Sequence, residues 1–271
     1  MDLLLQLLQF LLRLAFGLAL GMALVSPKQV TSGYFRNTLY VILGLSAFST
    51  LICFTESLKL AAWLSGSVVV ASYVGSVMWL YEQQRSGRIV LIVVAILALA
   101  AAWTATPEYL ATPPSSPPPD ETSISDVPVN HTNTFLRHAD APAGGAVLGF
   151  TMAAMLLGHW YLNSPTMQIA PLVRLLAWMA VALSIRAVIS LVGLGLEWQR
   201  GLSFDGLQSA FLAIRWLSGL AAPLLLTWMA WRTLKIPNTQ SATGILYVAV
   251  ITTFTGELSA QLLSAQTLYP L

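Results

Sequence analysis

The chain has 271 residues, of which 56% are hydrophobic and only 9% charged, and its mean hydropathy is +0.73. A soluble domain of that length would lack the polar groups to cover its surface, so the composition points to an all-α polytopic membrane protein. A net charge of +2 without an Arg- or Lys-rich face excludes nucleic acid as a partner, and a single cysteine, Cys53, excludes an intrachain disulfide framework or thiolate metal site.

A helix needs about 20 mainly apolar residues to cross the hydrocarbon core. Eight segments meet that requirement, at 3–25, 38–54, 60–81, 89–103, 146–162, 172–194, 207–231 and 244–263. The first follows Met1-Asp2 with no basic leader and is interrupted by Arg13, so it reads as a retained helix rather than a cleaved signal. Within it Gln9, Arg13, Gly17 and Gly21 recur every four residues. The two glycines form a seam that permits close helix approach, and Arg13 on the same stripe must face protein, either another helix of this chain or a partner subunit.

Ser26-Pro27 closes the first span, because proline stops a helix and biases its predecessor away from helical geometry. After four spans comes a Pro- and Ser-rich stretch, 107–142, expected to be an extended, semi-rigid spacer between a first bundle at 1–106 and a second at 143–271. Its Asn130-His131-Thr132 triplet fits a glycosylation acceptor, but the chain otherwise reads as bacterial. The fifth span ends in Gly158-His159-Trp160-Tyr161-Leu162-Asn163, where His159 and Asn163 share a helix face and the aromatic pair suits a membrane boundary. His159 is read as a hydrogen-bonded structural residue or, more sharply, as a proton-transfer or quinone-carbonyl contact. With His131 and His138 assigned to the spacer, no second histidine is left in a span, which argues against an intrinsic b-type haem.

Ionisable groups within a bilayer cost several kcal/mol unless paired or hydrated, so they mark candidate sites. Spans 6 to 8 carry Arg186, Arg215 and Glu257, whereas the aligned first-half positions are Phe48, Gly66 and Ala100. Helical spacing extends each charge into a stripe: Arg186, Ser190, Gly193 and Glu197; Gln208, Arg215, Ser218 and Gly219; Thr253, Glu257, Gln261 and Ser264. At about 1.5 Å of rise per residue all three charges lie in the outer half of the membrane, with Glu257 the best partner for either arginine. The cluster is either an ion-pair network that fixes helix packing or a polar pocket, with Arg186, Ser190, Arg215, Thr253, Glu257 and Gln261 as its residues. In the loop from Lys235 to Gly244, Ser241 or Thr239 is expected to cap the last helix. No phosphate loop, His-Glu-x-x-His, nucleophile elbow or Ser/His/Asp set is present, so no catalytic residue or metal site is assigned.

Positive charge sets orientation. Loops after spans 1, 3, 5 and 7 hold Lys28, Arg36, Arg85, Arg88, Arg174, Arg232 and Lys235, against Lys59, Arg137 and Arg200 on the opposite side. Both termini are therefore expected outside a bacterial cytoplasmic membrane. Ser26-Pro27, Arg36 and Leu45-Ser46 recur as Ser164-Pro165, Arg174 and Leu183-Ser184, each displaced by 138 residues, with the uncommon Pro and Arg in register. A second, weaker match sets Trp79 and Gly87 beside Trp228 and Gly244. This predicts two like-oriented, direct-repeat four-helix bundles.

Two direct four-helix bundles are similar in architecture to the quinone-binding membrane subunits of the polysulfide-reductase type, with no signature residue carried over. Two functions follow. One is a cofactor-free subunit of a respiratory or photosynthetic electron-transfer assembly, a scaffold or quinone-pocket subunit whose partners are lipids, other membrane subunits, and cytochrome or iron-sulfur proteins. The other is a secondary transporter or channel for a small polar solute, with Pro223 available to kink span 7.

Overall fold

The computed structural model describes residues 3–106, 131–164, 167–200, 205–236, 238–267 and 269–271. Most of the Pro-rich stretch, Asn130 of the glycosylation triplet, and Pro165 and Pro237 at two expected chain reversals lie outside the described residues. The rest is helical: α1 Leu3–Leu24, α2 Ser32–Thr55, α3 Lys59–Leu80, α4 Gln84–Thr104, α5 His131–Asn163, α6 Ala170–Gln199, α7 Gly206–Lys235 and α8 Thr239–Ser264. Among the described residues, eight helices are long and apolar enough to cross a membrane.

The spacer is shorter than its composition predicts. Residues 131–142 belong to α5, whose helix runs through Pro142, so the proline and the polar residues before it do not mark a boundary. The α8 cap also differs from expectation: the Asn238 side chain, not Ser241 or Thr239, accepts the backbone N–H of Ser241 at 3.0 Å. Asparagine is among the best N-cap residues because its short side-chain oxygen reaches back to the first turn.

α1 packs on α2, α4 and α5; α2 on α3; and α3 on α4. Around the other end of the chain α5 packs on α6 and α8, and α7 on both α6 and α8. The pivotal contact is α1 on α5. A methyl group added at Gly17 would strike the backbone of Gly145 and Gly149, and one at Gly21 would press on Phe150 and Ala153. Rising numbers on α1 meet rising numbers on α5, so these helices run parallel at a separation only glycine permits. At the end of the molecule carrying most of the basic residues, the loop after α1 and the first turn of α2 are tied to α5 and the loop after it by Trp160 Nε1 to Thr31 Oγ1 (2.6 Å), Tyr34 Oη to the Ala153 carbonyl (3.2 Å) and Gln29 Nε2 to Gln168 Oε1 (2.8 Å).

The weaker sequence match does not extend to packing. Trp79 is buried, stacks on Phe35 at 4.1 Å and closes over Gly87, whereas Trp228 is 54% exposed and Gly244 faces open space. Many large apolar side chains are exposed along α2, α3, α4, α6 and α7, as expected where lipid rather than protein is the neighbour.

α7 changes register midway. Gly206–Trp216 is α-helical, Leu217–Ala221 is a π-turn, and Ala222–Lys235 is α-helical again. The amide of Ala222 reaches back to the Leu217 carbonyl, one residue further than the α ladder allows. Pro223, next in line, has no N–H to return to Gly219, so the ladder is already open there and one extra residue is accommodated cheaply. Gly219 lies against Gly256 of α8, where neither position has room for a methyl group.

Candidate functional site

Five charged side chains from five helices converge between the two halves of the chain. Arg186 of α6 sits at the centre. Its Nε and Nη2 donate to Glu257 Oε1 and Oε2 at 3.1 and 3.0 Å, and its Nη1 donates to Asp140 Oδ1 at 2.5 Å. Glu257 of α8, fully buried, also accepts from Arg215 Nη1 of α7 at 2.7 Å. Arg215 Nη2 donates to Ser190 Oγ at 3.0 Å. On the other side Arg13 Nη1 of α1 lies 2.7 Å from Asp140 Oδ2, an ion pair whose N–H direction is off the hydrogen-bond line. Arg13 Nε donates to Gln9 Oε1 at 3.4 Å, and Gln9 Nε2 to the Ala102 carbonyl of α4 at 2.9 Å. Each charge is paired in low dielectric, which is the condition for keeping it charged there.

Backbone approach makes room for these groups. A methyl group at Gly144 would stand 2.7 Å from Glu257 Oε2 and 3.5 Å from Arg13 Nη1, and one at Gly219 would stand 2.9 Å from Arg215 Nη1. The seam glycines and the π-turn thus open the space that the guanidinium groups fill.

The expected stripes are partly assembled and partly reassigned. Arg186, Ser190, Arg215 and Glu257 meet as their helical spacing predicts. Thr253 is buried with its hydroxyl unpartnered, and Ser218 donates to the Thr252 carbonyl at 2.9 Å. Gln208 closes a capping box with Asp205 at the start of α7 and bonds Gln266 at 3.2 Å, apart from the charges. Glu197, also fully buried, accepts the backbone N–H of Tyr269 at 2.8 Å and pairs with Arg200 at 3.3 Å. Of the two readings for Arg13, the contact within the chain is the one observed.

The first half contributes Gln6, Gln9 and Arg13, which stand beside the cluster. One expectation about this region is corrected. Asp140, assigned by composition to the spacer, is the carboxylate that joins Arg13 to Arg186. The sequence carried one signal for it: Arg137 and Asp140 are one turn apart, and Asp140 is one turn before Gly144, which continues a helix through Pro142. His159 is exposed at the opposite end, with its Nδ1 3.2 Å from Tyr247 Oη, and Asn163 is exposed beside it. His138 lies within α5 rather than in the spacer, and its carbonyl accepts the Trp103 indole at 3.3 Å.

A cavity of about 60 Å³ borders the Arg13–Asp140 pair, lined by Gln6, Gln9, Arg13, Arg137, Asp140 and Gln261. A water needs roughly 10–15 Å³ on this measure, so about four fit. Gln261 is only 6% exposed, and both its amide oxygen and nitrogen lack a protein partner. Among the described residues no group of three or more His, Cys, Asp or Glu side chains is arranged to hold a metal. No protein-family model, curated protein or solved structure matches the chain.

Proposed function

We propose that this chain binds and passes a small hydrophilic solute or ion across the membrane, using the Arg13, Asp140, Arg186, Glu257 and Arg215 chain as its central site. The observation that carries this reading is continuity. A cavity with room for about four waters borders Arg13 and Asp140, and ion pairs run without a break from there to Arg215, two residues before the backbone of α7 departs from α-helical register. Packing alone would be served at less cost by apolar side chains of the same volume, since buried ion pairs seldom repay their desolvation. A π-turn beside a buried charge is a recurrent feature of functional sites and of helices that change shape.

In this reading the chain consists of two like-oriented four-helix halves. The parallel packing of α1 on α5 supports it, as does the Gln29–Gln168 contact, whose members stand three and four residues beyond the repeated Ser26 and Ser164. The excess of Lys and Arg in the loops after spans 1, 3, 5 and 7 supports an orientation with both termini, and the cavity mouth, outside a bacterial cytoplasmic membrane. A cofactor-free electron-transfer subunit with a quinone pocket would need ring-sized space beside these charges, and a cavity of about 60 Å³ lends that alternative no support.

The test is purification followed by reconstitution into sealed liposomes, with dye-reported flux of protons, halides, nitrate and small organic acids. A gradient that collapses faster than in empty vesicles, and no faster with Glu257→Gln, is expected. Flux indistinguishable from empty vesicles for every solute, or co-purification with cytochrome or iron-sulfur subunits and extractable quinone, would refute the proposal.

A further inference from the structure

Three guanidinium groups, Arg13, Arg186 and Arg215, face two carboxylates, Asp140 and Glu257, and among the described residues no further carboxylate lies within ion-pair distance of these arginines. Arginine stays protonated in proteins, so the cluster holds one positive charge in excess and cannot shed it. Just outside the cluster, the buried Glu197 carboxylate is matched by Arg200. An uncompensated charge at this depth is costly, and an anion is its natural complement.

The cavity is built to receive one. Its wall carries the guanidinium of Arg13, which pairs with Asp140 through Nη1 at an angle poor for hydrogen bonding, and the amide of Gln261, whose N–H groups have no protein acceptor. Both are more than nine-tenths buried. A buried amide left unpartnered costs about 1–3 kcal/mol, which an acceptor in the cavity would recover. The volume sets the size: about four waters, hence a partly dehydrated monatomic or four-atom inorganic anion, and too little for an organic acid with its hydration.

We propose that the cavity between Arg13 and Gln261 is a binding site for a small monovalent inorganic anion, of the class of chloride, bromide or nitrate. This rests on the proposed solute-passing function only for its physiological purpose, because binding is measurable without transport. The anion would neutralise the excess charge of the cluster while the Gln261 amide donates to it. The Asp140 carboxylate beside it, tied to both Arg13 and Arg186, excludes a second anion and disfavours a divalent one.

The experiment is thermal unfolding of the full detergent-solubilised chain in sodium chloride, bromide or nitrate against sodium gluconate at equal ionic strength. A ligand at about a hundredfold over its Kd should raise the midpoint by roughly 5 °C. Gln261→Leu should abolish most of that rise and leave the midpoint in gluconate at or up to about 5 °C above the parent's, because the unpartnered amide is gone, and Gln261→Asn should restore part of the anion response. Equal midpoints in all four salts, or a bromide response unchanged in Gln261→Leu, would overturn the site. Should the anions stabilise the chain and depend on Gln261 while liposomes show no flux, the anion site stands as a fixed counter-ion and the transport reading falls. Flux of another solute without any anion response would sink this inference and leave the transport reading intact.

Discussion

Replacing Glu257 with glutamine should be the most damaging isosteric change in this protein. The carboxylate is fully buried and accepts three hydrogen bonds, from Arg186 Nε, Arg186 Nη2 and Arg215 Nη1. Glutamine keeps one oxygen and turns the other acceptor into a donor facing a guanidinium. Arg186 retains Asp140, but Arg215 retains only the Ser190 hydroxyl, so its charge is left uncompensated at 0% exposure. Breaking a buried pair from one side costs about 3–5 kcal/mol. At about 2–4 °C per kcal/mol for a chain of this size, the unfolding midpoint should drop by roughly 10 °C. Asp140→Asn should cost less, about 2 kcal/mol, because that side chain borders the cavity and water can take over part of its role. Ser190→Ala should cost least, about 1.5 kcal/mol, for one hydrogen bond to a charged group. Combining Glu257→Gln with Arg215→Met should recover part of the loss, since the stranded charge is gone. Unfolding of the purified chain in mixed micelles, followed by helical circular dichroism, gives the order. A Glu257→Gln variant within about 1 kcal/mol of the parent, or one less damaging than Ser190→Ala, would refute the ion-pair account.

Three further outcomes are expected. Gly144→Ala should lower stability by about 1–3 kcal/mol, because its methyl group would press on Glu257 Oε2, whereas Gly44→Ala, with nothing near its added carbon, should be neutral or stabilising by up to about 1 kcal/mol; the same unfolding assay compares them. Gly149→Leu should separate α1 from α5 and abolish the folded yield in detergent, measured by size-exclusion chromatography, while Gly195→Leu, whose added carbon meets open space, should elute as the parent does. With Cys53 changed to Ser, cysteines placed at Arg85 and Leu207 should react with an impermeant maleimide from opposite sides of intact cells, the first only after the membrane is opened; labelling of both from one side would contradict the charge-based orientation.

Much of the site was written in the local periodicity of three helices. Arg186 and Ser190 share a face at i,i+4, and the spacing of Thr253, Glu257 and Gln261 turned α8 toward the same interior, so Glu257 was legible as a partner for either arginine, while its pairing with both at once is a feature of the structure. Arg13 was legible as facing protein, but its partner was not. The obstacle was Pro142: a proline inside a polar run signals a loop unless the residues around it gain more from packing than the missing hydrogen bond costs. Here Leu136 packs with Ile189 and Tyr269, and Asp140 joins two arginines, so the helix continues through it. The π-turn was equally hidden, because Pro223 permits an open ladder without dictating where the extra residue is inserted.

By itself the sequence determined that the chain is helical and membrane-spanning, because a low-charge chain with eight apolar runs must satisfy its backbone within each segment once water is removed. It also determined that a few permanent charges would have to find partners in that environment. Which partners they found was decided by tertiary structure. Parallel packing of α1 on α5 through Gly17, Gly145 and Gly149 brings Arg13 of one half against Asp140 of the other, and that contact depends on a helix-to-helix distance no local pattern encodes. The balance of three arginines against two carboxylates, with an unpartnered amide beside them, exists only at that junction.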